Sequence, residues 1–130
     1  MPASLDTNML LRLALKDIPA QYVTVRSLVT APGARYRVAD IAIDEMVHAL
    51  TYHYEMSRPQ VAEIVRAIIW DVAIDASSTF LDGVLTLFET NKHLSFTDCY
   101  LAEEAKASGN VPLLTFDKKL AASHPSATLA

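Results

Sequence analysis

A chain of 130 residues, 52% hydrophobic and with only 3 glycines, is long enough to bury one core and short for two ordinary domains, so a single globular domain over residues 1–130 is expected. No apolar run reaches the roughly 20 residues of a bilayer span, and Asp6 interrupts the apolar start that a signal peptide requires, so a cytoplasmic protein with no membrane partner is expected. The formal charge of −4 is unusual for a nucleic-acid binder, and the lone Cys99 excludes an internal disulfide and a cysteine-based zinc site.

In chain order, short β-branched runs alternate with longer stretches of helical period. Strands are expected near Ala3 to Leu5, Tyr36 to Ala39, Val72 to Ile74 and Val111 to Thr115, with a fifth near Thr128. The intervening segments read as helices: Thr7 to Leu15, Ala20 to Thr30, Ala42 to Tyr54, Pro59 to Trp70, Thr79 to Asn91, Asp98 to Ser108 and Lys118 to Ser123. Ser57 followed by Pro59 is a helix-start signal, and Ser78 is placed to cap the helix bearing Leu81, Val84, Leu85 and Phe88. Gly109 and Asn110 end the helix before Val111. Strands that follow helices so regularly predict an α/β layer fold around a parallel sheet of four or five strands, with ligands bound beyond the carboxyl ends of those strands.

Four acids stand out on this layout. Asp6 and Asp117 each close a strand and open a helix, where aspartate serves as an N-cap or as a ligand at the sheet edge. Asp98 falls in register with Leu101, Ala102 and Ala105, an apolar stripe on which a carboxylate needs a partner. Ser95 with Asp98 three residues on also fits a capping box, and a capping role is compatible with a ligand role. Glu45 points away from the face marked by Ile43, Met46, Val47, Leu50 and Tyr54, as a solvated acid would, although Ala42 and Ala49 on its own face leave room for another element to approach. Setting these four aside leaves 11 of the 15 acidic residues against 11 Lys and Arg, so the formal excess of negative charge equals the four candidates. Such a site repels a phosphate backbone until divalent cations neutralise it.

The blocks around these positions resemble the PIN-domain ribonucleases, and in length and spacing the chain looks like the VapC-type toxins of toxin–antitoxin pairs. Leu5-Asp6-Thr7-Asn8 is similar to the family's opening motif and Asp44-Glu45-Met46 to the helix carrying its glutamate. Phe96-Thr97-Asp98 with Leu101, Ala102 and Ala105 matches the third acid, and Leu114-Thr115-Phe116-Asp117-Lys118-Lys119-Leu120 the closing one. The opening Met1-Pro2-Ala3-Ser4 is shorter and less apolar than the family's usual first strand. The resemblance implies a three-layer α/β/α PIN-like fold and an endoribonuclease in which Asp6, Glu45, Asp98 and Asp117 hold Mg²⁺ or Mn²⁺, Asn8 orients Asp6, and Thr115 hydrogen-bonds near the site. It further implies homodimerisation and a cognate antitoxin that blocks the acidic pocket. Carboxylates suit an ion that prefers octahedral oxygen ligands, and such an ion activates water and stabilises charge on a phosphoryl group without a protein nucleophile.

Other readings of the same residues are weaker. Glu45 and His48 form one Glu-x-x-His pair where a di-iron bundle needs two, and a haloacid-dehalogenase-type phosphatase needs a second Asp where this chain has Asn8. Cys99 has no His placed to activate it and reads as a small core residue. The alternative from another class is a non-catalytic PIN-like or flavodoxin-like module whose acidic pocket binds a cation or a basic partner. For substrate phosphates the candidates are Lys118 and Lys119 beside Asp117, and Arg12 and Lys16 after Asp6.

Overall fold

A computed structural model describes residues 3–130, so Met1 and Pro2 of the short opening segment lie outside the described residues. The chain divides into two compact units, Met1–Thr79 and Phe80–Ala130.

In the first unit, strand β1 (Ala3–Ser4) leads into helix α1 (Thr7–Leu15), which packs on helix α2 (Pro19–Thr30). Strand β2 (Tyr36–Arg37) leads into helix α3 (Asp40–His48), which continues as a π-helical turn over Ala49–His53. Helix α4 (Arg58–Ile69) and strand β3 (Ile74–Asp75) follow. The strands form a parallel sheet in the order β1-β2-β3, with Ala3 opposite Tyr36 and Tyr36 opposite Ile74. Leu10, Val25, Val38, Ile43, Met46, Leu50, Val61 and Val65 are all buried. On α3 these are the positions expected from periodicity, and Glu45 lies on the exposed face.

Helix α5 (Ser78–Thr90) runs into the second unit, which continues with helix α6 (Phe96–Ser108), strand β4 (Leu113–Thr115), helix α7 (Lys118–Ser123) and strand β5 (Ala127–Leu129). Strands β4 and β5 pair in parallel, and α6 and α7 both pack on β4. Phe88 meets Phe96 edge-on with ring centroids 5.9 Å apart, and Phe80 meets Tyr100 likewise at 5.3 Å.

The expected α/β/α layering around one parallel sheet of four or five strands is not what forms. The described residues are mostly helical, and their strands make one sheet of three and one of two, each strand only two or three residues long. Alternation places the strands correctly but does not fix their length. Local chemistry shortens them. Pro112 has no N–H to give a ladder, so β4 starts at Leu113 rather than Val111. The Asp71 carboxylate accepts from the Ala73 amide at 2.8 Å and the Asp71 carbonyl from Ile74 at 3.0 Å, and this turn delays β3 beyond Val72. At the start of the chain, Ala3 and Ser4 are small and exposed, so little apolar burial supports a longer strand.

The helix boundaries follow their chemistry. Ser57 accepts from the Gln60 amide while the Gln60 side chain accepts from the Ser57 amide, a complete capping box with Pro59 in the first turn. Gly109 ends α6 at φ 76°, a left-handed conformation that glycine adopts without steric cost. Ser78 behaves otherwise than expected: it is helical, and its hydroxyl donates to the carbonyls of Ile69 and Ala76, satisfying an acceptor at the end of α4.

Candidate functional site

In the first unit the exposed Asp6 is the N-cap of α1, with Oδ1 accepting from the Met9 amide at 2.9 Å. The next residue reaches across the fold: Thr7 Oγ1 donates to Glu45 Oε1 at 3.0 Å. Glu45, the candidate least supported by periodicity, is thereby held beside the start of α1, and helix α1 packs on α3. The sequence reading missed Thr7, which is half-buried; a hydroxyl residue directly after a candidate acid was its only signal. Asn8 is exposed and makes no hydrogen bond to Asp6 among the described residues. It instead lines, with Asp6, Met9, Arg12, Gln21 and Thr24, a cleft of about 420 Å³ between α1 and α2.

Arg12 and Lys16 are less available for phosphate than expected. The Arg12 guanidinium lies 3.3 Å from Asp17 and donates to the Tyr54 hydroxyl at 3.3 Å, with 13% of its side chain exposed. Lys16 Nζ sits 5.5 Å from the centre of the Tyr22 ring, in cation–π geometry. His48 and His53 are exposed; the His48 ring lies 4.8 Å from that of Tyr52 at a tilt, and the His53 ring meets that of Tyr54 edge-on at 4.9 Å.

In the second unit Asp98 and Asp117 stand in the first turn and at the N-cap of the two helices that pack on β4. Ser95 caps α6, its hydroxyl accepting from the Asp98 amide at 3.1 Å, which is the serine half of the expected box. The apolar line of α6 is Phe96, Cys99, Ala102 and Ala105, all buried. Leu101 is 44% exposed, so the buried stripe runs through Cys99 and leaves Asp98 half-buried at its flank. Cys99 is a core residue, as expected. Asp117 is exposed, and its Oδ1 accepts from the amides of Lys119 at 2.8 Å and Leu120 at 3.2 Å. Thr115 does bond at this position, its hydroxyl accepting from the Asp117 amide at 2.9 Å. Lys118 and Lys119 are exposed beside it.

Donor chemistry fits a hard divalent cation. Asp6, Asp117 and Glu45 each tie one named carboxylate oxygen to the fold, which fixes the group and leaves the second oxygen for a ligand. Within each unit, among the described residues, no three His, Cys, Asp or Glu side chains gather into a ready-made cage. Mg²⁺ does not demand one, since it is commonly held by one or two carboxylates with waters and substrate phosphate completing the shell. No helix among the described residues is long and apolar enough to cross a membrane. Compared with models of known protein families the chain matches none, and no curated protein sequence matches it.

Proposed function

We propose that this chain is a metal-dependent endoribonuclease of the PIN-domain kind, acting in the cytoplasm as the toxin of a toxin–antitoxin pair. The observation that carries the reading is the Thr7–Glu45 hydrogen bond, 3.0 Å long across 38 residues of sequence, which draws Glu45 to the helix that Asp6 caps. A glutamate needed only for solubility has no reason to be held there. The residues that would bind Mg²⁺ or Mn²⁺ are, each within its own unit, Asp6 and Glu45 in the first and Asp98 and Asp117 in the second. The ion when bound supplies Lewis acidity toward a phosphodiester and a nucleophilic water. The chain's own part is to aim the carboxylates. Backbone amides at the starts of α1 and α7 hold Oδ1 of Asp6 and of Asp117 in place, and Thr7 orients Glu45. Lys118 and Lys119, exposed beside Asp117, would meet RNA phosphate. The excess acidic charge suits an antitoxin that presents a basic side chain, and homodimerisation accompanies the reading.

The test is incubation of purified protein with structured and unstructured RNA in Mn²⁺, Mg²⁺ or EDTA. Cleavage that needs the metal supports the proposal; cutting that survives chelation refutes it. Tight binding of Mn²⁺ or of a basic peptide with no cleavage of any RNA would establish the non-catalytic module instead.

Thr7→Val tests the carrying observation directly. Valine keeps the shape of threonine and removes the donor, so cleavage is expected to fall about 10- to 100-fold, the usual effect of losing a group that orients a metal ligand. A Thr7→Ser variant, which retains the hydroxyl, should recover most of that loss. Rates for valine and serine that match wild type would show that Thr7 does not position Glu45.

A further inference from the structure

We infer that His124 is a pH-sensitive latch on the C-terminal strand, closed when its ring is neutral and opened when Nδ1 takes a proton. The ring is 4% exposed at the end of α7, between two partners of fixed polarity. Ser126 donates its backbone N–H to Nδ1 at 3.0 Å, so Nδ1 is unprotonated. Nε2 lies 3.0 Å from Glu103 Oε1 on α6, and an ionised carboxylate can only accept, so Nε2 carries the hydrogen. The fold thus selects one neutral tautomer. A proton added at Nδ1 leaves the Ser126 amide facing another donor, while the contact with Glu103 becomes an ion pair.

Glu103 is the one ionisable group hydrogen-bonded to the ring among the described residues. Asp98, Glu104 and Lys106 on α6, and Asp117, Lys118 and Lys119 at the start of α7, make no hydrogen bond or ion pair with it, and β4 and β5 carry no ionisable side chain. Protonation therefore acts on one backbone amide and keeps the ring docked on α6. That amide is well placed to matter. The Ser126 carbonyl accepts from Leu113 at 2.7 Å where β4 and β5 begin to pair, and the Ala130 amide donates to the Thr115 carbonyl at 2.8 Å where the pairing ends. The Thr115 hydroxyl in turn accepts from the Asp117 amide. Loosening β5 in acid thus loosens the residue that holds the turn at Asp117. This last consequence, acid inhibition of the site, rests on the proposed nuclease reading; the latch itself does not.

Ring ¹⁵N shifts of the full chain, followed from about pH 8 to about pH 5, report tautomer and protonation. Amide hydrogen exchange measured in the same samples reports the strand. The expected result is an Nε2–H tautomer at high pH and, as the ring protonates, a loss of about tenfold in protection of Ser126 after correction for intrinsic exchange, the scale of one lost hydrogen bond. The His124 amide, bonded to the Leu120 carbonyl within α7, should keep its protection. His124→Asn offers the Ser126 amide an acceptor that does not titrate, and its protection should be independent of pH. An Nδ1–H tautomer at high pH, protection of Ser126 that ignores ring protonation, or a fall in His124→Asn parallel to wild type would each overturn the latch. Should His124→Asn not fold, the wild-type series decides alone. These readouts involve no RNA, so absence of cleavage would refute the nuclease and leave the latch standing.

Discussion

Asp98→Asn is expected to lower metal-dependent RNA cleavage by about 10²- to 10³-fold, the scale on which removing one group that stabilises transition-state charge acts. The same substitution should change the unfolding free energy by less than about 0.5 kcal/mol. Both halves follow from how α6 begins. Its cap is the Ser95 hydroxyl accepting from the backbone amide of residue 98, a bond that asparagine at that position leaves in place. The carboxylate lies half-buried at the flank of the apolar line, where asparagine fits the same volume without the charge. Asp117 cannot separate the two effects so cleanly. Its Oδ1 holds two amides of α7, and alanine there would cost about 1 kcal/mol of capping energy whatever the chemistry. Single-turnover cleavage at saturating Mn²⁺, with a urea titration on the same protein, reads both quantities. A variant as active as wild type would remove Asp98 from the site, and one that is inactive because it is unfolded would show itself in the titration.

The residues that made the fold legible are those whose chemistry is local. Ser57 before Pro59, Ser95 with the Asp98 amide, and Gly109 each act within one turn, and each does in the structure what its neighbours imply. Strand lengths were not legible, because a strand ends where a competing local bond begins: the Asp71 turn, or the missing donor of Pro112. The helical period predicts a helix continuous to Tyr54, but the last turn widens to a π-helix over Ala49–His53, a change for which the exposed His and Tyr residues carry no periodic signal. On α6 the expected Ala102 and Ala105 are buried, but Cys99 rather than Leu101 completes the line. Leu101 has a core residue's hydropathy, yet the smaller Cys99 takes its place beside the two alanines. Small side chains permit close approach of another element, a tertiary fact that hydropathy alone does not encode. Glu45 shows the converse. Periodicity marked it as a surface acid, which it is, and the reason it is held in place lies 38 residues away in Thr7.

Phe88→Ala is expected to destabilise the chain by about 3–5 kcal/mol, the range for truncating a buried aromatic, with a lower urea midpoint and an unchanged m value. Phe88 is 2% exposed on α5 and meets the edge of Phe96, so the loss combines transfer free energy, the cavity left behind and the edge-to-face contact. Phe96 is the first residue of α6, two positions before Asp98. The same ring pair therefore fixes where that helix starts and hence where the carboxylate stands. Against a total stability of roughly 5–15 kcal/mol, a loss of this size leaves the variant folded at low temperature and marginal when warm. Under folded conditions its cleavage should fall further than the folded fraction accounts for, because the start of α6 is no longer pinned. Phe88→Leu, which refills much of the cavity, should recover most of the stability while lacking the aromatic edge. If Phe88→Leu cleaves RNA at the wild-type rate, packing volume alone positions Asp98. A rate that stays low in a stable Phe88→Leu protein assigns the positioning to the ring contact.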